Sequence, residues 1–206
     1  MGASEKSVCI LDYGSGNVRS VFNLVSALNP DVFISNNPAD LAKATHFILP
    51  GVGSFGSAME KIKARIQLEE LKKEVFEKKK PFLGICVGMQ VLADKGTEFG
   101  SHEGLGWISG EVEKINTTLP LPHIGWNNLE TVQPSPLVSG LNNGSDFYFV
   151  HSFTFKPRSR ENILATCAYG ESFACIIQKE NVYGVQFHPE KSQNAGKLLM
   201  TNFLGL

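Results

Sequence analysis

The stretch that most constrains this chain is Pro81-Phe82-Leu83-Gly84-Ile85-Cys86-Val87-Gly88-Met89-Gln90. Its apolar run, Phe82 to Ile85, reads as a buried strand, and helix formers follow at once. Between them stands Gly84-x-Cys86-x-Gly88, a nucleophile-elbow spacing with sulfur in place of a hydroxyl. A strand that turns this sharply into a helix brings backbones so close that a Cβ would clash, which accounts for glycine on both sides. The start of the following helix favours thiolate over thiol. A cysteine nucleophile also needs a base and a group to orient that base. The candidates lie far down the chain, in Val185-Gln186-Phe187-His188-Pro189-Glu190. Pro189 keeps its neighbour extended, so His188 and Glu190 project from one side at period two. Glu190 is then placed to fix the imidazole tautomer. Taken apart, the two segments have bland readings: a buried structural cysteine and a histidine–carboxylate hydrogen bond. In one chain they read as chemistry. A metal site on His188 and Glu190 lacks further ligands at matching spacing.

The chain before Cys86 alternates strand and helix. Val8 to Asp12 reads as a strand, and Tyr13-Gly14-Ser15-Gly16-Asn17 as a tight turn at a site edge. Val18, Val21, Phe22, Val25 and Leu28 recur at helical spacing. Asp31 to Ser35 and His46 to Leu49 read as further strands, with a short helix opened by Asn37-Pro38 between them. The third strand runs into Pro50-Gly51-Val52-Gly53-Ser54-Phe55-Gly56. Gly51, Gly53 and Gly56 match the dinucleotide fingerprint by letter. Yet the motif follows the third strand, and the next strand ends in Cys86 rather than a ribose-binding acid. A chemical use fits better: flexible backbone N–H groups aimed at a developing oxyanion. Ile62 to Lys80 reads as one helical stretch closed by Pro81 and capped by Lys78-Lys79-Lys80. This alternation predicts a parallel sheet with helices on both faces and chemistry beyond the carboxyl ends of the strands.

From Gly96 the texture changes. Trp107–Ile115, Leu129–Val132, Asp146–Phe155, Ile163–Ala168, Phe173–Gln178 and Val182–Phe187 are short alternating runs that predict a more antiparallel second half. Leu198 to Leu204 reads as a closing helix with Lys197 and Asn202 facing out. No repeat or long linker divides the chain. One domain over residues 7–206 is expected, after a polar lead-in at 1–6.

Composition sets limits rather than function. A net charge of −1 on 206 residues leaves no bulk nucleic-acid footprint. No apolar stretch reaches membrane-spanning length. Cys9, Cys86, Cys167 and Cys175 show no CxxC spacing, so neither zinc nor a disulfide framework is indicated, and a reducing, cytoplasmic location is expected.

Gly84 to Gln90, Gly184 to Ser192 and the Pro50–Gly53 loop together resemble the class I (triad) glutamine amidotransferases. Within that class the narrower likeness is to the glutaminase subunits of imidazole glycerol phosphate synthases. It rests on Asp12-Tyr13-Gly14-x-Gly16-Asn17, Pro122-His123-Ile124-Gly125-Trp126-Asn127 and Phe147-Tyr148-Phe149-Val150-His151-Ser152. The likeness implies a single-domain α/β fold: a central, mixed, mostly parallel sheet with helices on both faces, plus a smaller antiparallel sheet. It implies Cys86, His188 and Glu190 as the catalytic triad. Val52, Gly53 and Val87 would supply the oxyanion hole, and Gln90, Glu98, His151, Ser152 and Phe153 would hold the glutamine. It also implies a partner, a HisF-like (βα)8 cyclase subunit that receives ammonia in a heterodimer, with His123, Trp126, Asn127, Tyr148 and Lys191 at or near the interface. No metal, flavin or nucleotide cofactor is implied. The segment Lys95 to Trp107 is similar to paralogues that supply ammonia for amidination of surface-polysaccharide sugars, which leaves the acceptor open.

Overall fold

The computed structural model describes residues 6–206. The lead-in expected over 1–6 therefore falls, Lys6 excepted, outside the described residues. Lys6 Nζ donates to the Leu206 carbonyl at 2.7 Å.

The first half runs β1 (Val8–Ile10), α1 (Val18–Ser26), β2 (Val32–Ile34), α2 (Pro38–Lys43), β3 (His46–Gly51), α3 (Phe55–Arg65), α4 (Leu68–Lys72), β4 (Phe82–Cys86) and α5 (Val87–Gln90). The second half adds β5 (Lys95–Gly96), β6 (His102–Glu103), β7 (Gly110–Lys114), β8 (His123–Asn128), β9 (Glu130–Thr131), β10 (Asp146–His151), β11 (Phe153–Pro157), β12 (Ile163–Tyr169), β13 (Glu171–Lys179), β14 (Val182–Val185) and α6 (Gln193–Leu204).

The main sheet is ordered β2-β1-β3-β4-β14-β13-β12-β9. Pairing is parallel from β2 to β14 and antiparallel from β14 to β9. Strands β1, β3, β4 and β14 are buried throughout, as continuous apolar runs in a covered sheet must be. The mixed, mostly parallel sheet is thus as expected. The smaller layer differs from expectation: it is split in two. β5, β6, β7 and β11 form one sheet with a parallel pair between β5 and β7, while β8 and β10 form a separate antiparallel ribbon.

Register explains where the site falls. β4 lies between β3 and β14, with Gly51 opposite Cys86 and Val185 opposite Ile85. Three parallel strands therefore end side by side, delivering Val52, Val87 and the Gln186–His188 segment to one edge.

Several boundaries differ from those expected. The stretch expected as one helix over Ile62–Lys80 is two: α3 begins at Phe55, and the chain straightens at Ile66, which is 4% exposed, before α4. Burying Ile66 requires that break. Lys78 and Lys80 pair with Glu74 of their own helical stretch, and Lys80 also reaches across to the Ala42 carbonyl at the end of α2, at 2.9 Å. The run Asp146–Phe155 divides at Ser152 between two sheets. Asn202 does not simply face out; its Nδ2 donates to the Leu137 and Ser139 carbonyls at 3.0 and 2.7 Å and ties α6 to that loop. Among the described residues no helix is long and apolar enough to cross a membrane.

Candidate active site

Cys86 is the last residue of β4 and the only non-glycine in the elbow with a left-handed backbone, φ 54° and ψ −112°. That conformation is costly for an L-residue and persists only where its surroundings hold it. The surroundings are glycine contacts: a Cβ on Gly88 would run into the Leu49 carbonyl, and one on Gly84 into the Gly88 carbonyl. α5 has only four residues, shorter than the helix expected through Leu92, so its dipole is a smaller aid to the thiolate than a full helix would be.

Cys86 is 4% exposed. Its sulfur receives Gln186 Nε2 at 3.7 Å and lies 4.0 Å from the Val150 carbonyl oxygen. His188 begins the turn beyond β14 and is buried. Its backbone N–H donates to the Tyr148 carbonyl at 2.9 Å, and Ser192 Oγ donates to its carbonyl at 2.6 Å. His188 Nδ1 is 2.8 Å from Glu190 Oε1, and Asn17 Nδ2 donates to the same oxygen at 3.2 Å. The Tyr13–Asn17 turn thus does stand at the site edge.

Charge follows from these contacts. Burial opposes the imidazolium, but Cys86 and Glu190 outweigh it and push the pKa of His188 up to about 10. Burial also opposes charge on Glu190, yet His188 and Asn17 hold its carboxyl below the usual range. The arrangement holds an imidazolium beside the sulfur, backed by a carboxylate.

A pocket of ≈180 Å³ opens over the sulfur. Val52, Gly53, Cys86, Val87, Gln90, Glu98, His151, Ser152, Phe153 and His188 all line it, so the nucleophile, oxyanion-loop and pocket candidates converge. Glu190 stands behind His188. Gln90 spends both protons of Nε2 inward, on the Phe153 carbonyl and Gln186 Oε1, each at 3.0 Å, which leaves its amide oxygen to offer. One oxygen of Glu98 accepts from the Phe55 N–H at 2.9 Å, at the start of α3. The helix start that follows the glycine-rich Gly51–Gly56 loop is thus met by a carboxylate of this chain.

The interface candidates do not all lie on the surface. Trp126 is 49% exposed, packs edge-on to Tyr148 at 5.9 Å, and Lys191 Nζ sits 5.4 Å from the Tyr148 ring. Asn127 is half-buried. His123 is 3% exposed and stacked on Tyr169, so it lies beneath that face rather than on it. The alternation of β8 dictates this, since His123 and Trp126 point to opposite sides. Lys191 also lines the pocket, joining the two regions. Sequence reasoning did not single out Asn17, Gln186 and Ser192. The first ends the Asp12–Asn17 motif, Gln186 precedes His188 by two residues, and Ser192 closes the Pro189–Lys191 3-10 turn, which replaces the extended segment expected after Pro189.

The glutamine amidotransferase class-I family model matches residues 9–205. Imidazole glycerol phosphate synthase subunit HisH 1 of Campylobacter jejuni subsp. jejuni serotype O:23/36 (strain 81-176) is 48% identical over 97% of this chain and 100% of its own. Subunit HisH of Caulobacter vibrioides is 42% identical over 97% of this chain and 98% of its own. Among solved structures, a glutamine amidotransferase superposes with TM-score 0.75 at 21% identity, covering 96% of this chain and 97% of that one. Another glutamine amidotransferase, from Thermotoga maritima, gives 0.67 at 16%, covering 98% and 97%. These two speak for the fold alone.

Proposed function

Because this chain belongs to the class-I glutamine amidotransferase family, we propose that Cys86, His188 and Glu190 are its catalytic triad and that it is the glutaminase subunit of an imidazole glycerol phosphate synthase. The observation that carries this reading is the convergence of the sulfur, the His188–Glu190 pair and the glutamine-pocket groups in one cavity.

The Cys86 thiolate attacks the side-chain amide carbon of glutamine. The carbonyl oxygen takes the negative charge, and the N–H groups of Val87 and of the Val52–Gly53 segment receive it. The tetrahedral adduct collapses as His188 gives its proton to the nitrogen, so ammonia leaves and a γ-glutamyl thioester remains. Neutral His188 then takes a proton from water, the hydroxide attacks the thioester, and glutamate departs as the thiolate is restored. Glu98 and the Gln90 oxygen suit the substrate ammonium, and the Ser152–Phe153 backbone suits its carboxylate.

The ammonia passes to a HisF-like (βα)8 cyclase subunit docked over Trp126, Tyr148 and Lys191, in a cytoplasmic heterodimer of histidine biosynthesis. The relatives carrying the HisH name support this branch over the sugar-amidinating one. The test is activity on the histidine-pathway intermediate. Glutamine-dependent turnover with a cognate cyclase, absent in Cys86→Ala but retained with free ammonia, supports the reading. Turnover that survives Cys86→Ala with glutamine as the sole nitrogen source refutes it.

A further inference from the structure

Beneath the exposed face of the β8–β10 ribbon lie two buried histidines that the reaction above does not use. His123 and His151 stand opposite each other in the ribbon register. His123 Nδ1 is 3.0 Å from His151 Nε2, and His151 Nδ1 is 2.9 Å from the Phe153 carbonyl. On the other side, Asn127 Nδ2 is 3.4 Å from His123 Nε2.

The carbonyl fixes the direction of this chain. The Phe153 oxygen only accepts, so His151 Nδ1 carries the proton. Burial lowers the pKa of His151 to about 3, and it lowers that of His123 as well, so both rings are neutral. His151 Nε2 must then accept from His123 Nδ1–H, and His123 Nε2 must accept from Asn127. No member has freedom to reverse alone.

The chain continues to the sulfur. The Phe153 carbonyl also accepts from Gln90, which donates on to Gln186, which donates to Cys86. The run donated from half-buried Asn127 and the run donated from Gln90 toward the nucleophile share the Phe153 carbonyl as their common anchor. A shift of that carbonyl costs both runs a buried hydrogen bond, which is expensive.

We propose that His123 is a positioning residue: with Asn127 and His151 it forms a tautomer-locked chain that ties the seating of the β8–β10 face to the Gln90–Gln186–Cys86 cluster. This rests on the glutaminase reading and extends it to the way docking reaches the sulfur.

The test has two arms. Nitrogen-15 imidazole spectra of the isolated chain should show both His123 and His151 neutral and protonated at Nδ1; an Nε2–H form of either overturns the proposal. In the second arm, His123→Phe keeps a flat ring between Tyr169 and Phe149 but removes both nitrogens. Glutamate release is measured with and without the cyclase subunit and its phosphoribosyl ligand, alongside the dissociation constant for the subunit. The expected result is unchanged cyclase affinity with a stimulated kcat reduced roughly tenfold. His123→Asn, whose amide nitrogen stands where Nδ1 stood, should restore part of that loss. Wild-type stimulation in His123→Phe overturns the proposal while leaving the glutaminase reading intact. Absence of stimulation in the wild type removes that reading and this role with it. Should His123→Phe not fold, Asn127→Ala is read by kcat at saturating cyclase subunit: a stimulated kcat reduced roughly tenfold supports the proposal and a wild-type value overturns it.

Discussion

At the scale of single residues, the site is a problem of holding charge in a buried place. Cys86 and Glu190 raise the proton affinity of His188 against the cost of burial. Glu190→Gln should keep the hydrogen bond but lose the charge. Glutaminase kcat/KM is expected to fall about 100-fold, and the pH profile of Cys86 alkylation should move toward higher pH. An unmoved alkylation profile would mean that the carboxylate only orients the ring. Gly88 presents a steric case. Gly88→Ala drives a methyl into the Leu49 carbonyl, in backbone that has nowhere to go. It should cost about 3 kcal/mol in denaturant unfolding and abolish alkylation of Cys86 at neutral pH.

At the scale of elements, legibility in the sequence followed from how local each determinant is. β4 and its elbow were readable because an apolar run, two glycines and a cysteine declare themselves within ten residues. The pairing of His188 with Glu190 was readable from the His-Pro-Glu spacing, but the extension expected there is absent: Pro189–Lys191 is a 3-10 turn, and that turn brings the carboxylate to Nδ1. The β8–β10 ribbon was not, since β8 alternates too weakly to signal a strand: Gly125 and two asparagines break its pattern. His123, expected at or near a partner interface, is buried beneath the exposed face of that ribbon. The break at Ile66 was likewise hidden, because only tertiary packing rewards turning that side chain inward. The ribbon also carries a prediction of its own. Its outward face carries Trp126, 49% exposed, edge-on to Tyr148, with Lys191 beside the Tyr148 ring. Trp126→Ala should weaken binding of the cyclase subunit by about 2 kcal/mol in calorimetric titration. The same variant should change the unfolding free energy of the isolated chain by under about 0.5 kcal/mol.

At the scale of the whole molecule, buried histidines tie stability to pH in opposite directions. Burial first, then the Lys6 charge, lowers the pKa of His46 to about 4, and burial lowers that of His151 to about 3. As pH falls through about 6.5 the unfolded chain takes up protons that the folded chain refuses, so stability declines by about 1.4 kcal/mol per pH unit for each site. His188 works the other way: its contribution is complete below about 6.5 and is lost as pH rises toward about 10. Maximal stability should therefore lie near neutrality. His46→Gln should flatten the acid limb by about one proton in urea titrations between pH 5 and 6.5.

The larger feature is that three parallel strand ends and one detached ribbon meet at a single sulfur. The nucleophile sits in the rigid sheet, while the wall over it belongs to an element with an uncovered face. A chain built this way should hydrolyse glutamine slowly alone and fast when that face is covered. The direct measurement is glutamate release from glutamine by the wild-type chain and by Cys86→Ala, each with and without the cognate cyclase subunit and its phosphoribosyl ligand. Strong stimulation of the wild type, with no release from Cys86→Ala under any condition, is the predicted result. Equal rates with and without the partner, or release that persists in Cys86→Ala, would contradict it.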